Sequence, residues 1–422
     1  MAVIASQSTT KVIVSEDGTR GEAGTDGVDG AGFNNVRKSK LDNPLCHLFK
    51  TNKLVEASAP TGTDSDVNFT RTTTATYIDR YGVVQSAGVN EIREEKEGFL
   101  LEGASTNICI NSEDFNNWSK SGSGTGQAPI VTSDYAAAPD PTKMADRVQF
   151  DRGAGSSTSD ISRINQVFST VASTTYTQSI WLKSNDTNTY DIEFSFNGSN
   201  SIVHTVTGEW QRFTNPNFLA TNTSRYFRIQ IRGGTTTSQT ADILMWGAQQ
   251  EALPFATSYI PTTSAPVTRA TDDCSITAEN NIDKLTADHT LSVNVKKLGE
   301  NPNDMFVIVA EYDDAFNRAL AVRRGGDGWA DYYSGGTFIF GDQSFDKINL
   351  TSTYSGTELK SYLTGSLSRA STKAYTDASN IANIIYVGRR GSTTGRFYGH
   401  ISDFKIYDFA INDDEAKLIG GQ

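Results

Sequence analysis

Residues 190–196 read Tyr-Asp-Ile-Glu-Phe-Ser-Phe, so Tyr190, Ile192, Phe194 and Phe196 recur at every second position with polar residues between them. A period of two is that of a β-strand with one face buried and one face wet. Phe227, Ile229 and Ile231 repeat the pattern, and QSIWLKS (178–184), SIVHTVTGEWQRF (201–213) and ADILMWG (241–247) add further strand candidates. Trp181, Trp210 and Trp246 fall in or beside apolar strand positions and are read as core. Half-buried strands joined by Thr, Ser and Gly turns make a sandwich, here over 111–262.

Composition extends this reading to the whole chain. Its 422 residues exceed one ordinary core, and 37% hydrophobic with 10% aromatic residues supply packed interiors. Met is scarce, long Ala/Leu/Glu/Lys runs are missing, and Thr, Ser, Gly and Asn dominate the remainder, so the expected class is all-β. Thirty-seven basic against 49 acidic residues give a net charge of −12, which repels phosphate backbones and anionic membranes and excludes nucleic acid as a partner. No apolar run reaches membrane-spanning length, and MAVIASQSTTK lacks the basic start and apolar stretch of a signal peptide, so neither membrane insertion nor standard secretion is expected. Cys46, Cys109 and Cys274 are odd in number and far apart, and read as buried thiols made in a reducing cytoplasm.

Near the start, GTRGEAGTDGVDGAG (18–32) places Gly18, Gly21, Gly24, Gly27 and Gly30 at three-residue spacing. Glycine every third residue is what a collagen-like triple helix demands, because only glycine fits at its crowded axis. One such strand has no partner within its own chain, so the run predicts a homotrimer around a short stalk, as in fibres and spikes. A flexible glycine-rich linker would show the same spacing. Residues 1–40, with a strand candidate at Lys11–Val14, read as an attachment arm plus stalk, and 41–110 as an irregular β shoulder with short strands at Ala75–Ile78 and Gly98–Leu101. Pro254, Pro261 and Pro266 mark an extended connector. A second β domain fills 263–422 and closes on NDDEAKLIGG, where Asp413 is expected to cap a short helix that Gly420 ends.

Several segments resemble tail fibres and related receptor-binding virion proteins of tailed bacteriophages. They are FTRTTTATYIDRYGVVQSAGVNEIREE (69–95), GFLLEGASTNICINSEDFNNWSK (98–120) and WGAQQEALPFATSYIPTTSAPVTRATD (246–272). The resemblance implies a jelly roll similar to carbohydrate-binding modules between these signatures. YVGRR (386–390) and GRFYGHISDFKIYDFAINDDEAKLI (395–419) are similar to the concanavalin A-like and laminin G-like sandwich. It also implies a structural calcium ion on Glu113 or Asp114 and Asp242, which alone do not complete a six- to eight-oxygen shell. The chain has no room for the long β-helix of hydrolase or lyase spikes.

Catalytic signatures are missing from the sequence: no GxSxG elbow, no HExxH and no GxxxxGK loop occur, and His47, His204, His289 and His400 are widely spaced. The doublets Asp272-Asp273, Asp313-Asp314 and Asp413-Asp414 read as turn and cap residues. No enzyme activity and no cofactor beyond calcium are expected.

A sugar ring offers a C–H face to aromatic rings and hydroxyls to Arg, Asp and Asn. RRGGDGWADYYSGG (323–336) joins Trp329, Tyr332 and Tyr333 to Arg323, Arg324, Asp327 and Asp331 in a glycine-flanked segment read as a loop or hairpin tip. The same aromatics would also suit packing on the sandwich or a neighbouring subunit. Arg389, Arg390 and Arg396 could accept an acidic glycan or pair with carboxylates of this acidic protein. The leading expectation is a non-enzymatic, homotrimeric virion fibre, made in the host cytoplasm. Its arm docks on another virion protein and its sandwiches bind bacterial surface polysaccharide. A head fibre or capsid decoration of the same fold, and a capsule-degrading tailspike with an inter-subunit site, are the alternatives.

Overall fold

The computed structural model describes residues 41, 46–50, 53–57, 67–196, 200–221, 223–277, 288–299, 305–311, 318–325, 328–333, 337–340, 347–355, 358–364, 366–372, 384–389 and 396–420. The chain divides into two units, Met1–Asn43 and Pro44–Gln422, and all the sheets below belong to the second. The glycine triplets from Gly18 to Gly30, the strand expected at Lys11–Val14, Asp327 and Arg390 lie outside the described residues.

The alternating stretches form an all-antiparallel sandwich of two five-stranded sheets. One runs in the order Gln127–Ala137, Met144–Asp151, Thr240–Glu251, Thr175–Ser184, Gln211–Leu219, and the other Ser201–Val206, Tyr190–Ser195, Ser224–Arg232, Ile161–Ser169, Ser119–Ser123. Ile164, Ile229 and Phe194 lie side by side in register across the second sheet. They share one core with Val148, Ile180, Leu182, Ile243 and Met245 of the first. Phe196 stacks on Phe218 at 4.3 Å, and Trp118 meets Phe227 edge-on at 5.5 Å. Each large apolar side chain buried here contributes roughly 1.5–3 kcal/mol, which makes this cluster the main stabilising element of the sandwich.

Thr175–Ser184 and Thr240–Glu251 depart from simple alternation and are buried almost end to end. A second apolar layer covers the outer face of their sheet. Trp181, Leu244 and Trp246 pack there with Val84 and Tyr259, and Trp210 adds a partly buried edge. The Trp181–Trp246, Trp181–Tyr259 and Trp246–Tyr259 ring centroids lie 5.3, 5.5 and 4.7 Å apart. Gly247 makes this possible. It sits at a shift in strand register with φ +67°, and a Cβ would come within 2.9 Å of Trp181 Cε3. The proline-marked stretch after Glu251 lies against this layer: Ile260 N–H donates to Gln249 Oε1 at 2.7 Å, and Asn107 Nδ2 donates to the Ile260 carbonyl at 2.8 Å.

Two larger antiparallel sheets follow. The nine-stranded one carries Asp288–Lys297 between Gly399–Tyr407 and Lys347–Ser355, and the seven-stranded one carries Ile384–Val387 between Met305–Glu311 and Asp273–Thr277. The stretch 41–110, expected as an irregular shoulder, supplies strands to both. Cys46–Lys50 and Gly98–Leu101 pair with Gly399–Tyr407, and Asn68–Thr70 pairs with Asp273–Thr277. The closing helix Asp413–Gly420 is capped one residue earlier than expected. Asn412 Oδ1 accepts from the N–H groups of Asp414 and Glu415, and Glu415 Oε2 accepts the Asn412 N–H in return, a capping box. Asp413 instead accepts the Tyr362 hydroxyl at 2.9 Å.

The three amino-terminal and central signature segments converge on one buried ionic clasp. Arg71 donates to Asp272 at 3.0 Å, Arg93 bridges Glu102 (2.7 Å) and Asp272, and Arg269 lies 3.3 Å from Glu102, all with side chains essentially inaccessible to water. Burial alone would raise the Glu102 carboxyl, but Arg269, Arg93 and donors from Ser258 pull it down to about 2. These motif residues therefore lock distant parts of the chain together and stand away from solvent chemistry.

Candidate functional site

Six of the seven sugar contacts expected from sequence fall on two paired strands. Arg323 and Arg324 lie in Arg318–Gly325, and Trp329, Asp331, Tyr332 and Tyr333 in Gly328–Tyr333, with Arg324 opposite Trp329 and Val322 opposite Asp331. They belong to paired strands, with Gly325 opposite Gly328 at the end of the ladder.

The acidic residues named for calcium are engaged elsewhere. The Tyr259 hydroxyl donates to Glu113 at 3.0 Å and Lys143 Nζ lies 3.5 Å from its other oxygen, while Asp114 accepts from the Asn116 N–H as the cap of the turn Phe115–Asn117. Arg147 Nε donates to Asp242 Oδ1 at 2.8 Å and its Nη2 to Oδ2. A guanidinium already occupying both oxygens of Asp242 leaves a donor set that does not suit a calcium ion. Among the described residues, no group of three or more His, Cys, Asp or Glu is placed to hold a metal. Arg389 and Arg396 pair with Asp273, so their charge is met inside the protein.

The described histidine side chains are structural in their surroundings. His204 packs against Phe194 (4.7 Å) and Phe213 (5.0 Å), and burial lowers its pKa. His400 Nε2 lies 2.7 Å from Glu95 Oε2, and His289 is buried beside Tyr354. Cys109 and Cys274 are free and buried, and burial pushes both thiols up, away from nucleophilic character. Among the described residues, no helix is long and apolar enough to cross a membrane.

The outer face of the second sheet has a different character. The residues between the core positions line up in register as Ser121, Arg163, Gln230 and Glu193 in one row, and Ser119, Asn165, Arg228 and Ser195 in the next. Val167 and Tyr226 form the adjoining pair, and Val167 is 56% exposed. Gln230 Nε2 donates to Glu193 Oε1 at 3.0 Å and the Thr235 hydroxyl donates to Oε2 at 2.6 Å, which fixes the buried end of the first row. Arg163 Nε donates to the Ser121 hydroxyl at 2.8 Å, and the Arg228 guanidinium sits 4.7 Å over the Tyr226 ring. Arg228 Nε and Gln230 Oε1 are buried with no partner. Planar guanidinium and amide groups fixed on a rigid sheet beside an aromatic ring are the equipment for pairing with vicinal hydroxyls or a carboxylate. A separate cavity of about 100 Å³ between Trp181, Arg212 and Glu95 has room only for several waters.

No protein-family model matches the chain, and no curated protein matches it by sequence. Among solved structures it is similar to the Ruminococcus gnavus IT-sialidase CBM40 bound to alpha2,3 sialyllactose, at 15% identity and TM-score 0.29, over 34% of this chain and 89% of that one. It is also similar to domain 4 of AbnA, a GH43 extracellular arabinanase from Geobacillus stearothermophilus, in complex with arabinotriose, at 12% identity and TM-score 0.29, over 39% and 81%. A third likeness is to Trypanosoma rangeli sialidase, at 13% identity and TM-score 0.31, where 35% of this chain matches about a quarter (26%) of that protein's length.

The sequence reading missed this outer face. Its signal lay in SRINQVFS (162–169) and SRYFRIQIR (224–232), where Arg163, Asn165, Arg228 and Gln230 fill the positions between the core residues. Reading only the apolar half of an alternating strand discards its polar half.

Proposed function

We propose that the chain is a non-catalytic, carbohydrate-binding subunit of a tailed-phage virion fibre, homotrimeric through its glycine repeat and attached to the particle by its amino-terminal arm. The observation that carries the binding role is the pair of half-buried arginines, Arg163 and Arg228, on neighbouring strands of a rigid sheet, with the Arg228 guanidinium over the Tyr226 ring. The phage assignment is supported by the resemblance of residues 69–95, 98–120 and 246–272. Three weak sites on one trimer would convert later contacts into intramolecular ones and raise avidity by ~100-fold or more.

The test is retention of the full chain on immobilised bacterial surface polysaccharide, with the eluate assayed for reducing ends. Retention without released ends is the expected result. Release of reducing ends would replace binding by an inter-subunit hydrolase, and failure to be retained on any surface polysaccharide would remove the carbohydrate role.

A further inference from the structure

Three arginines meet on the outer sheet face, none of them in a salt bridge. Arg163 stands directly across from Gln230, whose neighbours two positions away along the same strand and face are Arg228 and Arg232, so Arg163 is diagonal to both. All three are half-buried. Arg163 Nε donates to Ser121, Arg232 Nε donates to the Thr158 carbonyl at 2.7 Å, and Arg228 Nε has no partner. In a chain with net charge −12, where Arg71, Arg93, Arg147, Arg269, Arg389 and Arg396 all pair with carboxylates, Arg163, Arg228 and Arg232 form a cluster without an ion pair. Burial, then the charges of Arg163 and Arg232, lower the Arg228 pKa, against opposing effects of Tyr226 and Glu193. The nearby carboxylate, Glu193, hydrogen-bonds Gln230 and Thr235 rather than any of the three guanidiniums, and its charge offsets only part of theirs. Mutual repulsion of partly desolvated like charges is a cost that an arriving anion would remove.

Resting on the reading of this face as a saccharide site, we infer that its ligand is an acidic sugar, with a carboxylate lying across the half-buried Arg163 and Arg228. A guanidinium fork matches a carboxylate in plane and spacing, whereas a neutral ring would leave the excess positive charge unmet. At physiological salt the overall negative charge is screened beyond about 8 Å, so it does not keep an acidic chain from this local patch.

The experiment measures binding of the full chain to oligomers of galacturonate, polysialate, alginate and hyaluronan, each beside its methyl-esterified form, and to inorganic sulfate. At least one acid form should bind more than tenfold tighter than its ester, with affinity falling as salt rises. Arg163→Ala and Arg228→Ala should each lose tenfold or more. Because truncation could disturb folding, Ser121→Glu supplies the control: a carboxylate delivered from within should pair with Arg163, raise the melting temperature and weaken acid binding at least tenfold. Equal binding of acid and ester, or binding of neutral esters alone, overturns the charge assignment and leaves the carbohydrate reading standing. Displacement by sulfate at equal concentration overturns the sugar component. Binding of no saccharide overturns both.

Discussion

Arg71 Nη1 donates to Asp272 Oδ1 at 3.0 Å with both side chains fully buried, although 201 residues separate them. Arg93 joins the same carboxylate to Glu102, so one cluster ties the chain before the central sandwich to the segment that follows it. Removing one partner leaves uncompensated buried charge, and the cost is large even where the intact pair adds little net stability. Asp272→Ala is expected to destabilise the protein by about 3–5 kcal/mol in urea unfolding, and Glu102→Ala by a similar amount.

Acidification should act through the same cluster. The folded Glu102 carboxyl is held at about 2 against an ordinary 4.5, so its contribution is fully present above pH 4.5 and is lost as pH falls towards 2. A depression of that size is worth ~3 kcal/mol at neutral pH. Urea unfolding at pH 7, 4.5 and 3 should show the wild type losing stability across this window more steeply than Glu102→Gln, which has no carboxylate to protonate. Parallel curves for the two proteins would disprove the assignment.

Gly247 carries the second aromatic layer. Gly247→Ala would hold a side chain at φ +67° and drive its Cβ to 2.9 Å from the Trp181 ring, so it should cost about 2–4 kcal/mol in chemical denaturation and blue- or red-shift tryptophan emission as the layer loosens. An unchanged midpoint would mean that the ring shifts aside without penalty.

These features show what the sequence made legible. Tyr190, Ile192, Phe194 and Phe196 announced a half-buried strand, and Tyr190–Ser195 is a strand, because a two-residue period on a sheet is a local property, but Glu193 and Ser195 between them are buried too. Trp181 and Trp246 were readable as buried, but not what covers the face opposite Ile180 and Leu182, which depends on Val84 and on the strap that carries Tyr259. Glu102 and Asp272 carried no local sign of burial, since the arginines that neutralise them sit elsewhere in the chain. The helix cap moved from Asp413 to Asn412 because the return hydrogen bond from the Asn412 N–H to Glu415 selects the residue three positions earlier. The outer arginines were present in the alternation, but only pairing of non-consecutive strands sets Arg163 beside Arg228 and Arg232.

The glycine repeat makes a prediction independent of the sheets. Light scattering of the full chain at low concentration should give three times the chain mass, and deletion of residues 18–32 should reduce it to one. A monomer in the intact protein would end the trimer proposal and with it the avidity argument.

The most direct measurement on the proposed binding face is phenylglyoxal labelling of arginines in the full chain, read by peptide mass spectrometry with and without the tightest-binding saccharide. The expected result is protection of Arg163, Arg228 and Arg232 while the exposed, ion-paired Arg80 reacts as before. Equal labelling in both conditions, or protection confined to Arg323 and Arg324 of the C-terminal hairpin, would contradict it.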